Sequence, residues 1–315
     1  MIEAIEFTYT IGPNDFSIVE GYLKEVAKRS IGAYRNQKSR ILRTLNHLNK
    51  PLQEITMIDI KEYFDRVIDI DDIKLSSKET HRSYLKSFFY YVQAYFLDQN
   101  ITFQNPVPIT KVYKFTKKNK DFKKVSEQDG EIYTETELQE ILNQAKLQGF
   151  RDFILYGIIT ATGMRISEAL TIRIENINLE ERYIETGFEM DARKSDKGLL
   201  FFFPKGFKPY LEKYLLYLNK EQGWLFKGTK THLTTPGWRN RCKKYYEEKY
   251  SLFHTFRRTM ITRRIKDMNC DLLISEMLMN HAPSSVEGKH YLKLSIQEKR
   301  EYYDKYFPYK NITYF

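Results

Sequence analysis

Apolar residues recur at helical spacing through the first third of the chain. In FSIVEGYLKEVAKR they fall at Phe16, Val19, Tyr22, Leu23 and Val26, a stripe on one face of a 3.6-residue repeat. SIGAYRNQKSRILRTLNHLN continues the pattern and ends at Asn49, just ahead of Pro51. TMIDIKEYFDRVI follows with Thr56 placed to cap it, and SSKETHRSYLKSFFYYVQAYFLDQN makes a fourth segment opened by Ser76 or Ser77. That segment stops at NPVP, whose prolines supply no amide hydrogen and disfavour helical backbone before them. Residues 16–107 are therefore expected to form a four-helix domain behind a short N-terminal tail, 1–15.

From 108 to 130 the pattern lapses. Lys111, Lys114, Lys117, Lys118, Lys120, Lys123 and Lys124 are opposed only by Asp121 between residues 109 and 125. This reads as a solvated basic linker, and such a linker between domains is able to track a phosphate backbone. Periodicity returns in a second domain, 131–315. TETELQEIL pairs Thr134 with Glu137, a capping box. FILYGIITATG is an apolar helix or strand stopped by Gly163. ERYIETGFEM and GLLFFFP alternate like strands around the polar turn DARKSDKG, which predicts a hairpin. Helices resume at KPYLEKYLLYL, at PGWRNRCKKYYEEK and from His254 onward. The whole is mainly α, with a small antiparallel sheet in the second domain.

Composition narrows this picture. The 315 residues are 42% hydrophobic, enough for a sizeable core and too many for a disordered chain. No apolar run approaches the roughly 20 residues that cross a bilayer. MIEAIEFTYT has neither a basic nor an apolar leader region, so a cytoplasmic protein without a membrane partner is expected. Cys242 and Cys270 form no metal-ligand spacing and are expected to stay reduced, so no metal site is foreseen. Lys and Arg number 51 against 41 Asp and Glu, a net +10 that suits a polyanionic partner. Two helical faces of the first domain would serve one. Arg35 and Lys38 lie beside Tyr34, and Lys78, His81, Arg82 and Lys86 stand at i, i+3, i+4 and i+8. Each is equally an ordinary exposed face opposite the core.

Three stretches concentrate candidate chemistry. In ATGMRISEAL, Gly163 interrupts an apolar segment, Arg165 follows, and Glu168 lies three residues on. On a helix Arg165 and Glu168 share a face, so the carboxylate would orient the guanidinium; a surface ion pair is the alternative. So apolar a neighbourhood favours an Arg165 buried against a ligand or partner. In HTFRRTMITRR, His254 and Arg257 stand at i and i+3, while Phe256 and Met260 form an apolar pair on an adjacent side. Arg264 lies about 10 Å further along the axis. With Arg258 and Arg263 it is expected to make a solvated or DNA-backbone face. LMNH supplies His281, and Tyr291 follows in GKHYLK. Alone, His281 reads as a cap or a core residue, and one tyrosine among 24 carries no signal.

The ordered set carries more. Arg165, a hairpin lysine, His254-x-x-Arg257, His281 and Tyr291 resemble the catalytic signature of the tyrosine recombinase (phage integrase, Xer-like) family. TGMRISEAL is similar to that family's TGxRxSE segment, HTFRRT to its HxLRH box, and LMNHAPSSVEGKHY to its LGH…Y segment. The resemblance covers nearly the whole chain. Asn280 stands where the family has glycine, Arg258 where it has histidine and Phe256 where it has leucine, and none of these removes a chemical group.

The resemblance implies a helical, SAM-like core-binding domain and a catalytic domain that together form a C-shaped clamp on duplex DNA. It implies cleavage through a 3′-phosphotyrosine intermediate without metal or small-molecule cofactor, by a dimer on one site and a tetramer in the synapse. Arg165 and Arg257 would grip the scissile phosphate, His254 would accept the proton of Tyr291 or act as a further donor to the phosphate, and His281 would hydrogen-bond the phosphate. A hairpin lysine would protonate the departing 5′ oxygen. Lys194 is nearer the first strand and is preferred, with Lys197 the alternative. The tail from about 293 to 315, with Tyr302, Tyr303, Tyr306 and Phe307 on one helix, would dock on a neighbouring protomer or pack back on its own domain. A type IB topoisomerase and a non-cleaving DNA-binding protein of the same fold are the rival readings.

Overall fold

Ser30 ends one helix and opens the next. Helix α1 runs Pro13–Arg29 and α2 runs Ile31–Leu48; the Ser30 side chain accepts from the Ala33 amide, and Asn49 closes α2 at φ 48°. The computed structural model describes residues 13–70, 73–116, 132–186, 198–280 and 294–314. The chain divides into two units, 1–129 and 130–315.

In the first unit, α3 (Met57–Tyr63) is capped by Thr56 and Asp59 in a reciprocal box and ends in a π turn, 64–68. Helix α4 (Leu75–Leu97) begins one step before the expected serines, with Lys74 at the cap position and no side-chain cap bond. The core gathers Val19, Leu23, Ile41, Leu45, Phe64, Phe88 and Phe89.

The face of α4 assigned to DNA is corrected here. Lys78 is 0% exposed and Arg82 and His81 are buried with it. These positions continue upstream the stripe of Leu85, Phe89, Val92 and Phe96, at alternating steps of three and four residues, so they point into the core and not away from it. Lys78 Nζ donates to Asp69 Oδ1 at 2.6 Å, and the Arg82 guanidinium lies 4.6 Å from the centre of the Phe115 ring. His81 Nε2 meets Thr44 Oγ1 at 3.0 Å. Arg35 is exposed, and Lys38 and Lys86 are half-buried. The opening of the basic linker is likewise packed. Tyr113 donates to Asp65 at 2.7 Å, the Thr116 amide donates to Asp69, and Phe115 joins the core.

The second unit is built around α6 (Phe150–Thr162), the segment left open between helix and strand. Its residues from Asp152 to Thr162 are all buried, and a helix enclosed on every side shows no amphipathic period. Helix α5 (Glu135–Gln148) lies on it behind the Thr134–Glu137 capping box, and α7 (Ile166–Leu170) follows Gly163. Strands β1 (Ile177–Asn178), β2 (Tyr183–Thr186) and β3 (Leu199–Phe202) form one antiparallel sheet in that order. The expected hairpin pairs Tyr183 with Phe202 and Thr186 with Leu199. Strand β1, two residues long, gives no alternation to read. Then come α8 (Lys208–Leu218), α9 (Thr235–Tyr245), α10 (Phe253–Lys266) and α11 (Leu272–Leu278).

The C-terminal tail packs on its own unit. Helix α12 (Ile296–Lys305) opens with a Ser295–Glu298 capping box. Tyr303 is 1% exposed and donates to the Ala161 carbonyl at 2.8 Å, and Arg182 pairs with Asp304. Tyr309, Ile312 and Tyr314 belong to the main core. Of the two fates considered for this tail, residues 294–314 show packing on their own domain.

Candidate active site

Gly163 ends α6 at φ 67°, a left-handed conformation that costs glycine nothing. A Cβ here would meet Met279 Cε at 2.5 Å, so the turn also needs the space. The chain is then free to place Arg165 at the cap of α7. Glu168 accepts from the Arg165 amide and from its Nη1, both at 2.7 Å. The carboxylate is buried while 46% of the Arg165 side chain stays accessible. In the lone chain the acid is sunk beneath Arg165 and aims an open guanidinium, a side chain left accessible for a ligand or partner to cover. Thr186 on β2 donates to the Glu168 carbonyl at 3.1 Å, joining the hairpin to this turn.

On α10, Phe253, Phe256 and Met260 enter the core and fix the roll of the helix. Arg257 goes in with them and is 1% exposed. Its Nη1 donates to the Gly163 carbonyl at 3.0 Å and its Nη2 to the Met279 carbonyl. One side chain thus ties the turn before Arg165 to the turn before His281. Burial, then repulsion from Arg165, lowers the Arg257 pKa to about 10. His254, one turn earlier, is exposed. Burial of part of its ring and the charges of Arg258, Arg257 and Arg165 lower its pKa below the usual value.

The other arginines of α10 do not form the expected basic face. Arg258 is exposed, but Arg263 donates to the Tyr133 carbonyl at 3.1 Å and pairs with Asp267. Arg264 is fully buried, 5.5 Å from the centre of the Tyr303 ring, with Nη1 3.0 Å from Met279 Sδ. The start of the domain and α12 cover that side of the helix, and both are remote in sequence. The structure therefore brings Arg165, Glu168, His254 and Arg257 together. Lys194, Lys197, His281 and Tyr291 lie outside the described residues. Asn280 was missed as a contributor, and its signal was its place at the family's glycine. It bonds both backbone groups of Leu200 on β3.

Residues 131–298 match the model of the phage integrase family, more than half of the chain. The chain belongs to that family. It is a site-specific recombinase, an enzyme that cleaves and rejoins DNA. It is 24% identical over 314 residues to a tyrosine recombinase XerD of Staphylococcus haemolyticus, covering 93% of this chain and 99% of that protein. To the XerD of Staphylococcus saprophyticus it is 28% identical over 171 residues, 52% of this chain and about half (54%) of that protein. Among solved structures, the XerH site-specific recombinase bound to its difH substrate superposes with a TM-score of 0.59 at 18% identity, covering 95% of this chain and 88% of that one. That likeness extends the fold across both units. None of these matches favours the topoisomerase or the non-cleaving reading.

Proposed function

We propose that Tyr291 is the nucleophile and that the cluster around Arg257 is its phosphate site. One observation carries this reading. Arg258, Arg257 and Arg165 lie close enough to His254 to disfavour its protonated form, Arg165 acts likewise on the buried Arg257, and Glu168 is the carboxylate bonded to Arg165. A site with this excess of positive charge is complete only when an anion enters it, and a phosphodiester has the planar pair of oxygens that guanidinium groups fit.

In the forward step the Tyr291 oxygen attacks phosphorus and its proton passes to His254. The bond to the 5′ oxygen breaks, and that oxygen takes a proton from Lys194, or from Lys197. A 3′-phosphotyrosine and a free 5′ hydroxyl result, and the ester keeps the energy for rejoining. Arg165 and Arg257 hold the non-bridging oxygens as charge builds on them, and His281 donates to the same phosphate. Recombination between two duplexes cuts four strands, and each chain offers one such tyrosine. A dimer on each site and a tetramer in the synapse follow. Arg35, Lys38 and Lys86 contribute phosphate contacts from the first unit, in a protein that works in the cytoplasm.

The test is a pool of nicked duplexes with randomised inverted-repeat arms, from which a covalent protein–DNA species is recovered on a denaturing gel. Wild type yields the species and Tyr291→Phe does not. A complex that persists in Tyr291→Phe removes the nucleophile, and a wild type that captures nothing from the pool removes the mechanism.

A further inference from the structure

Residue 280 has φ 52°, which explains why the family pattern has glycine there. Asparagine is one of the few other residues that tolerate this conformation. Here its side chain adds something that glycine lacks. Asn280 Oδ1 accepts from the Leu200 amide at 3.2 Å, and Nδ2 donates to the Leu200 carbonyl at 2.7 Å. Leu200 sits opposite Glu185 on β3, the outer strand of the sheet. Alternate residues of an antiparallel pair turn both backbone groups away from their partner. The primary amide of Asn280 meets that outward pair as a further strand would.

The contact joins two parts of the site. In sequence Leu200 follows Lys194 and Lys197 by six and three residues, and Asn280 directly precedes His281. On its other side, Met279 is gripped by Arg257 at the carbonyl and by Arg264 at the sulfur. Strand β3 is thus fastened, through two consecutive residues, to the arginine of the phosphate site.

We infer that Asn280 is a positioning residue for cleavage, holding β3 in register with Arg257 so that the leaving-group acid meets the phosphate. The inference rests on the reading of the site given above. Glycine would satisfy the backbone but leave Leu200 to water, so the loss falls on register and not on the fold.

The experiment compares full-length wild type with Asn280→Gly and Asn280→Asp. Amide hydrogen exchange at Leu200 reads the contact without DNA. Single-turnover covalent capture on the duplex recovered from the pool reads the chemistry. It is run once with the normal 5′ oxygen and once with a bridging 5′ sulfur, which departs without a proton. Asn280→Gly is expected to melt with the wild type and to exchange faster at Leu200. Its capture on the oxygen duplex should fall by about tenfold or more, with capture on the sulfur duplex nearly restored. Asn280→Asp keeps the acceptor for the Leu200 amide but turns a carboxylate toward the Leu200 carbonyl, and its capture on the two duplexes should follow that of Asn280→Gly. Unchanged exchange at Leu200 shows that the contact is absent in solution. Equal losses on both duplexes show that Asn280 does not serve the leaving group. If wild type captures neither duplex, the mechanism fails, while the exchange result still decides the contact.

Discussion

Arg257 donates to the carbonyl oxygen of Gly163 at 3.0 Å, so the second arginine of the site is held by the turn that presents the first. Because Gly163 also packs against Met279, and Met279 offers its carbonyl to the same guanidinium, the arginine braces three segments before any substrate arrives. Preorganisation of this kind spares the transition state the cost of gathering its donors.

Arg257→Lys should therefore fail in two ways. A single ammonium lacks the fork that spans both carbonyls. Each carbonyl left orphaned in the interior costs about 1–3 kcal/mol, visible as a lower urea midpoint. Covalent capture should drop on the order of 10²–10³, the loss seen when one donor to a developing oxyanion is removed. Capture at the wild-type rate would place the phosphate elsewhere.

The first unit offers a second contrast. Lys78→Ala removes a fully buried ammonium from Asp69 and should cost on the order of 3 kcal/mol, the low end for a broken buried pair because Asp69 keeps some water. Its salt dependence of DNA binding should match the wild type. Arg35→Ala should leave stability alone and reduce the slope of log affinity against log salt by about one. The opposite assignment of effects would restore the original reading of α4.

These two cases mark what the sequence could convey. Val19, Leu23, Ile41 and Leu45 recur at the helical period because their helices each have one wet side, and period alone located them. Lys78 and Arg82 obey the same period, but their charge argued for solvent, and only Asp69 and Phe115 show why they are inside. Arg263 and Arg264 look solvated in the sequence because Tyr133 and Tyr303, which cover them, lie far off along the chain. Short-range spacing is enough to pair Arg165 with Glu168 and to set His254 and Arg257 on one helix, while their candidate chemistry comes from the resemblance of the ordered motifs. The bonds from Arg257 to Gly163 and Met279, and from Asn280 to Leu200, cross between segments and leave no local pattern.

The tail supplies a test of packing. A chain ended after Lys293 loses Tyr303, Tyr309, Ile312 and Tyr314 from the interior of the second unit. It should melt well below the full chain or fail to fold. Tyr303→Phe deletes only the hydroxyl bonded to Ala161, and should cost about 1 kcal/mol. A truncated chain that melts with the wild type would show that residues 294–314 are not part of this core.

His254 sets the expected pH response. Burial, then the charges of Arg258, Arg257 and Arg165, lower its pKa from 6.5. A lowered pKa means the folded imidazole gives up its proton at a more acid pH, so at pH 7 it is neutral and ready to accept one. Second-order capture at low DNA concentration reports the free enzyme, and its acid limb should have a midpoint below 6.5. The stability linkage has the same sign: the unfolded chain binds this proton more readily, so acidification below about 6.5 weakens the fold while alkaline pH leaves it unaffected. Arg258→Gln removes the larger of the charge contributions. The midpoint should then rise toward 6.5, and the rate at mildly acid pH should fall relative to the variant's own plateau. A wild-type midpoint above 6.5, or one that Arg258→Gln does not move, would take the proton-accepting role away from His254.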